Sequence, residues 1–387
     1  MASGASPDPS PAMHRCDASS RPLTEGDMRK WIGGVAAMTM AALMLAAPAQ
    51  AQGKSVDFTK EPACDSLTPT SMGGPAPKSP RLLVVRYLGS SNHEIAYRNT
   101  VLLLNAHYAR TPPARPLGFN RDDVKKVDAL LIGHGHGDHM SDAPYVAMKT
   151  GAPLVGAPIT TTQAKKMGLA DAQLITVTGR GGEVKKFKDI TVEPMLGRHG
   201  DGDAEVGAAQ NVAYRQLMAA AKLTRTPEQQ AKARAEQAGS NDPHILDEGV
   251  ISYLLTLDGS AFRIIFRDTS GSEETPGTPA ERSMMQRIGS TDLAIVSYST
   301  LVPQSQATTI PLTKLYNPHY YMPTHHDEVA AGRFDTPMEP LFLRMRDELP
   351  QVHPISPLYR EPICFDTQTK AVYIGESARD PRPGATK

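Results

Sequence analysis

The chain has 387 residues, with 41 Lys+Arg against 41 Asp+Glu and 5% aromatic residues. That length allows one large or two ordinary domains with a sizeable core. Zero net charge without a long basic tract argues against nucleic acid as a partner, and so few aromatics, with one tryptophan, argue against a stacking platform for single strands.

Residues 1–27 are rich in Ser, Pro and Asp, lack apolar periodicity, and read as disordered or as a start-site artefact ahead of Met28. Met28-Arg29-Lys30, the apolar run Trp31 to Ala47, and the small-residue exits Ala47-Pro48-Ala49 and Ala49-Gln50-Ala51 have the order of a secretory signal peptide over 28–51. A membrane anchor is the weaker alternative, because the run is 17 residues long and contains Gly33 and Gly34. No other stretch is apolar and long enough to span a bilayer, so a periplasmic or secreted protein without stable membrane insertion is expected. Export would remove Cys16 and leave Cys64 and Cys364. They either form a disulfide tying the two ends together, with roughly 4–5 kcal/mol of stabilisation in the chain-entropy model, or remain two thiols. Residues 52–80, rich in Pro, Gly and Ser from 65 on, read as a linker, and 376–387 as a flexible tail.

The domain is expected over 81–375. Arg81 to Tyr87, His93 to Tyr97 and Thr100 to Asn105 read as strands, with Arg98-Asn99 a turn. Asp128 to Ile132 is a short apolar run, read as a buried strand. Directly after it come Gly133-His134-Gly135-His136-Gly137-Asp138-His139. Neutral imidazole and carboxylate suit a borderline cation such as Zn²⁺. His134 and His136 can point the same way onto one ion, and Asp138 and His139 can face a second. The glycines are expected to supply backbone angles closed to other residues. This loop reads as a metal site.

His134-x-His136-x-Asp138-His139 resembles the His-x-His-x-Asp-His signature of the metallo-β-lactamase-fold hydrolases. The resemblance implies an α/β fold, an αββα sandwich with two metal ions at one edge of the sheets and further ligands on later loops. In that superfamily the third strand commonly ends in Asp-Pro, whereas here it ends in Asn105-Ala106-His107. An amide in place of the carboxylate would orient a metal-bound histidine less firmly, with His107 either a local substitute or a loop residue.

Ser141 to Thr150 and Thr160 to Leu169 read as helices around the strand Ala152 to Val155. Asp189 to Glu193 reads as a strand, followed by Gly197-Arg198-His199-Gly200-Asp201-Gly202-Asp203. His199 stands where the resemblance places the third histidine of the first ion, and Asp201 and Asp203 compete for that role. Residues 208–239 read as an inserted helical hairpin, broken at Thr226-Pro227, that either roofs the site and sets substrate size or is a solvated hairpin or homodimer contact. Gly249 to Leu257 and Ala261 to Phe266 read as a hairpin turning at Asp258-Gly259. Asp268 resembles the superfamily's carboxylate bridging both ions, its alternative being a turn cap. Leu293 to Ser297 reads as a buried strand. Tyr320 to Asp327 resembles the last motif, with His325 as ligand and His326 and His319 as alternatives or substrate-binding residues.

The ligand sets are then His134, His136 and His199 for one ion and Asp138, His139 and His325 for the other, with Asp268 between. Such a site implies a hydrolase carrying two divalent ions, Zn²⁺ first with Fe or Mn as alternatives. Hydroxide held between the ions would attack an ester, lactone or phosphodiester of a small molecule. Asp138 would orient it and pass its proton on, and His326 would stabilise the oxyanion. A β-lactamase is not expected, since the zinc lactamases generally lack aspartate at the position of Asp268. A mononuclear iron oxidoreductase on the same fold, using the first set alone, and a non-catalytic metal-binding protein are the competing readings.

Overall fold

In the computed structural model the described residues are 55–108, 110, 116–200, 249–269, 271, 275–298, 303–327 and 338–374, with isolated positions between 212 and 231. The expected disorder of 1–27, the signal peptide 28–51 and the tail 376–387 lie outside them, as does most of the insertion 208–239. Of that insertion, Val212, Arg215, Gln216, Ala219, Pro227, Glu228, Gln230 and Ala231 are helical.

The stretch expected as a linker is instead packed. It contains α1 (Pro62–Asp65) and single 3-10 turns at Phe58–Lys60 and Thr70–Met72. A buried ion pair holds it: Arg86 Nη1 lies 2.9 Å from Glu94 Oε1. Glu94 accepts the N–H groups of Thr70 (2.9 Å) and Ser71 (2.6 Å), and Arg86 Nη2 donates to the Ala63 carbonyl (2.7 Å). Proline and glycine content gave this stretch the look of a spacer, but its polar backbone groups have fixed partners in the sheet.

β1 (Leu82–Tyr87), β2 (His93–Tyr97) and β3 (Thr100–Leu104) form an antiparallel meander. β4 (Ala129–Leu131), β5 (Leu154–Gly156) and β6 (Leu174–Thr176) extend it in parallel. Their connections carry α2 (Gly137–Met140), α3 (Ala143–Thr150) and α4 (Pro158–Lys166). The second sheet starts with β7 (Lys185–Phe187), β8 (Ile190–Leu196), β9 (Ile251–Leu257) and β10 (Arg263–Arg267), all antiparallel, with Gly259 at φ 70° in the Asp-Gly turn. Then come α5 (Pro279–Ile288), β11 (Thr291–Ser297), α6 (Pro303–Tyr316), β12 (Pro318–Thr324), α7 (Glu339–Glu348) and β13 (His353–Pro354), its strands parallel to β10. β14 (Pro362–Asp366) and β15 (Val372–Ile374) return to the first sheet, β14 antiparallel to β1. The orders are β15-β14-β1-β2-β3-β4-β5-β6 and β13-β12-β11-β10-β9-β8-β7.

Strand alternation separates the layers. Leu83, Val85, Leu102 and Leu104 meet Tyr253, Leu255, Ile264, Phe266, Leu293 and Ile295 in a core between the sheets. The opposite faces pack against helices: Leu103 and Leu130 with Val146, Ala147 and Ala164 on one side, Ile265, Ala294 and Val296 with Met285, Leu312 and Leu341 on the other. Helix, sheet, sheet, helix is the αββα sandwich. Each fully buried aliphatic side chain contributes roughly 1.5–3 kcal/mol, so the paired sheets dominate stability. Among the described residues no helix is long and apolar enough to cross a membrane.

Cys64 on α1 and Cys364 on β14 are disulfide-bonded across a sequence separation of 300 residues. Both are buried with Leu82 and Val84 on the outer face of the first sheet. Serine at both positions should lower the unfolding free energy by roughly 2–5 kcal/mol while leaving metal binding intact. Denaturant titration of the double variant and of reduced wild type measures this, and an unchanged midpoint would show that the bond adds nothing to the packing of α1.

Candidate metal centre

Parallel pairing brings the carboxyl ends of β3, β4, β10, β11 and β12 to matching edges, and β8 points the same way as β10 across β9. Every expected ligand follows one of these ends. Leaving β4, Gly133 donates its N–H to Asn105 Oδ1 (2.9 Å) and accepts from Ile251 N–H (2.7 Å), which joins the two sheets just below the histidines. The chain then turns into α2, whose first carbonyl partner is His136.

The glycines of this loop act differently from expectation. Gly133, Gly135 and Gly137 are not among the residues with positive φ. The value of Gly133 and Gly135 is close approach: a methyl group at Gly133 would overlap the Asp268 carboxylate, and one at Gly135 would come 3.0 Å from Gln163 Oε1.

Three groups of ligand atoms gather here, each within 4.8 Å: His134, His136 and His199; His134, His139 and Asp268; and Asp138, His139 and His325. His134 Nε2 lies 3.1 Å from His136 Nδ1. His199 Nδ1 is engaged by the Gly200 carbonyl at 2.7 Å, which leaves its Nε2 as the ligand atom. On the other side His325 Nε2 lies 3.0 Å from both His139 Nε2 and Asp138 Oδ2. All seven residues expected as ligands are therefore brought together. Asp201 and Asp203 lie outside the described residues.

Asp268 takes a specific place. Its carboxylate lies against the Nδ1 atoms of His134 (3.1 and 3.2 Å) and His139 (2.9 Å). These are the opposite nitrogens from those turned toward His136 and His325. Asp268 thus holds both rings from behind, the carboxylate–histidine arrangement that fixes tautomer and direction of a metal ligand. Asn105 completes it, donating Nδ2 to Asp268 Oδ2 and to Ser91 Oγ (both 2.9 Å), while Ser91 Oγ lies 2.8 Å from His139 Nδ1. The departure from Asp-Pro therefore costs the site no carboxylate: Asp268 supplies one from β10. Asn105 sits at φ 59°, a left-handed conformation that asparagine tolerates better than most residues.

Burial depresses the basicity of the imidazoles, with their mutual repulsion next in size: His136 falls to about 3, His134 is lowered, and His199 lies well below its ordinary value. Neutral rings with lone pairs facing one another at about 3 Å are a poor arrangement alone and a good one around a cation. Burial opposes ionisation of Asp138 and Asp268, but the neighbouring histidines outweigh it and hold both carboxyls well below the usual range. The donor set fits divalent metal binding.

His326 stands outside the three groups, its ring stacked on Tyr87 at 4.7 Å. His319 opens β12 while His325 follows its end, about 20 Å of strand away, and His319 packs on His353 at 4.9 Å; it is not a ligand. His107 contacts Ser141 Oγ at 2.7 Å and is no substitute for a carboxylate behind a ligand. Sequence reasoning missed the supports Ser90, Ser91, Arg110 and Asp327, whose partners are far along the chain.

No protein-family profile matches the sequence. A UPF0173 metal-dependent hydrolase of Cupriavidus necator is 27% identical over 127 residues, 33% of this chain and 43% of that protein, so the match spans less than half of the relative's length. The UPF0173 metal-dependent hydrolase of Cupriavidus taiwanensis is 23% identical over 282 residues, 72% of this chain and 85% of that protein. Among solved structures, Igni18, a metallo hydrolase of the archaeon Ignicoccus hospitalis, superposes with a TM-score of 0.49 at 13% identity, covering 73% of this chain and 98% of that one. The chain is similar in sequence to UPF0173 metal-dependent hydrolases, and its αββα sandwich is the fold that the resemblance of the His134 to His139 loop implied.

Within that fold, the placement of Asp268 is open to test. Because it braces one ligand of each ion, Asp268→Ala should weaken retention at both positions, by roughly 10- to 100-fold. Asp268→Asn, which keeps an acceptor oxygen, should fall between. Calorimetric titration with Zn²⁺ reads the two affinities. Loss confined to one ion would show that the carboxylate supports only that ion's ligands.

Proposed function

We propose that the chain is an exported hydrolase that uses two divalent ions to cleave an ester, lactone or phosphodiester of a small molecule. The supporting observation is the pair of three-residue groups, His134, His136, His199 and Asp138, His139, His325, back to back on one carboxylate. Zn²⁺ suits the donors best, with Fe or Mn as alternatives, and bound ions would lower the pKa of water toward neutrality and polarise the substrate's carbonyl or phosphoryl oxygen.

The protein's own groups supply the rest. Asp138 keeps a side chain 20% exposed while Asp268 is fully buried, so it is the carboxylate open to solvent. Held ionised by His139 and His325, it is placed to orient the attacking water and carry its proton toward the leaving group. His326, half-buried on Tyr87, is assigned to the charge that develops on the substrate oxygen. His326→Ala should lower kcat by about 10²–10³ and leave metal content unchanged. Export is supported by the disulfide, since such bonds persist in oxidising compartments.

Two measurements test this reading. Chelated protein reconstituted with Zn²⁺ should bind two ions per chain, and hydrolysis across a panel of esters, lactones and phosphodiesters should return with the second. One ion per chain, no hydrolysis, and dioxygen-dependent oxidation by protein reconstituted with Fe²⁺ instead would replace the hydrolase with an iron oxidoreductase. Intact mass of protein from the native host should place the mature N-terminus near Gln50 or Gln52, whereas retention of Met1 or Trp31 would contradict export.

A further inference from the structure

Beyond Asp268, which holds one histidine of each, the two ligand groups have separate supports. His134 leans on Asp268, and the loop carrying His199 is held by Arg267, whose Nη2 donates to the Arg198 carbonyl (3.2 Å) and whose Nη1 pairs with buried Glu281 (3.1 Å). The second group hangs from the dipeptide Ser90-Ser91, which touches each of its members. Ser90 Oγ donates to the Asp138 carbonyl (3.2 Å), Ser91 Oγ lies 2.8 Å from His139 Nδ1, and the Ser90 carbonyl accepts the His325 N–H (2.9 Å). Both Ser90 (φ 52°) and His325 (φ 61°) are in left-handed backbone, which is uncommon outside glycine.

The side chain that holds the Ser90 backbone is Asp327, 2% exposed. Its Oδ1 accepts the Ser90 N–H (2.7 Å) and the Tyr87 hydroxyl (2.6 Å), and that hydroxyl also reaches the Ser90 carbonyl (2.8 Å). Its Oδ2 takes Arg110 Nη1 (2.9 Å) and the Tyr359 hydroxyl, while Arg110 Nη2 donates back to the Asp327 carbonyl. One buried ion pair therefore joins the loop after β1, the segment before β14 and the turn carrying His325.

We propose that Asp327, paired with Arg110, is a positioning residue for the second ion: it fixes Ser90 and His325 so that Asp138, His139 and His325 converge, and leaves the first ion's ligands to other supports. This rests on the two-ion reading above.

The test uses the full chain, stripped and titrated with Co²⁺, following the visible absorption of the bound ion and its stoichiometry. Asp327→Asn keeps the shape but loses the charge, and Tyr359→Phe removes one donor while keeping the packing. Glu281→Gln, which breaks the buried Arg267–Glu281 pair, is the control for general loosening. In Asp327→Asn the second dissociation constant should rise 10- to 100-fold, with a smaller rise in Tyr359→Phe, and the Co²⁺ spectrum of the second step should change. The first should stay within about threefold. Glu281→Gln should leave the second step as in wild type. Equal loss at both steps, or unchanged affinities in folded Asp327→Asn, would overturn the proposal. Should Asp327→Asn fail to fold, a wild-type second step in Tyr359→Phe would overturn it. A wild-type chain that takes up a single Co²⁺ overturns the two-ion reading itself, before any variant is compared.

Discussion

Two imidazoles, His134 and His139, share one buried carboxylate, and the geometry of the site follows from that sharing. Asp268 is 1% exposed, and an unpaired charge at that depth would be strongly unfavourable. Its two oxygens are instead covered by His134, His139 and Asn105. With Nδ1 of each ring committed to Asp268, each Nε2 is turned outward in the direction a metal would need. The same closeness explains Gly133: the carboxylate occupies the volume that any side chain there would fill. A loop that approaches a neighbouring strand end this closely must lack a Cβ at that point.

The sheets make that meeting possible. Asn105 follows β3, the histidine loop leaves β4 and Asp268 follows β10, so the pieces come from both layers of the sandwich. They meet because the carboxyl ends of parallel strands share an edge and the apolar faces of the two sheets clamp together beneath it. Precision at the ligands comes from polar ties above the core, such as Gly133 N–H to Asn105 and Ile251 N–H to Gly133. Rigid elements below and satisfied hydrogen bonds above are what a preorganised metal site requires.

The parts legible in the sequence were those with local signals. β1 to β4 and β9 to β12 are apolar runs bounded by turn residues, and His134 to His139 carries its ligands within six residues. β14 and β15 escaped notice because they are short, β14 opens on Pro362, and their pairing with β1 is a matter of tertiary contact. Pro311 inside α6 obscured a helix in the same way. Glycine in the metal loop was recognisable as functional, but whether it served φ or close approach depended on Asp268, 135 positions away from Gly133. Asp327 and Arg110 were invisible for the same reason: their bond spans 217 residues, and nothing local marks a loop aspartate as the anchor of a distant serine.

We propose that two ions sit on either side of the Asp268-braced pair of histidines. Anomalous scattering from crystals of the zinc-loaded protein, collected on both sides of the zinc absorption edge, tests it most directly. Two peaks are expected, one bound by His134, His136 and His199 and one by Asp138, His139 and His325, with Nδ1 of His134 and His139 still on Asp268. A single peak, or a metal bound through the Nδ1 atoms at Asp268, would contradict it.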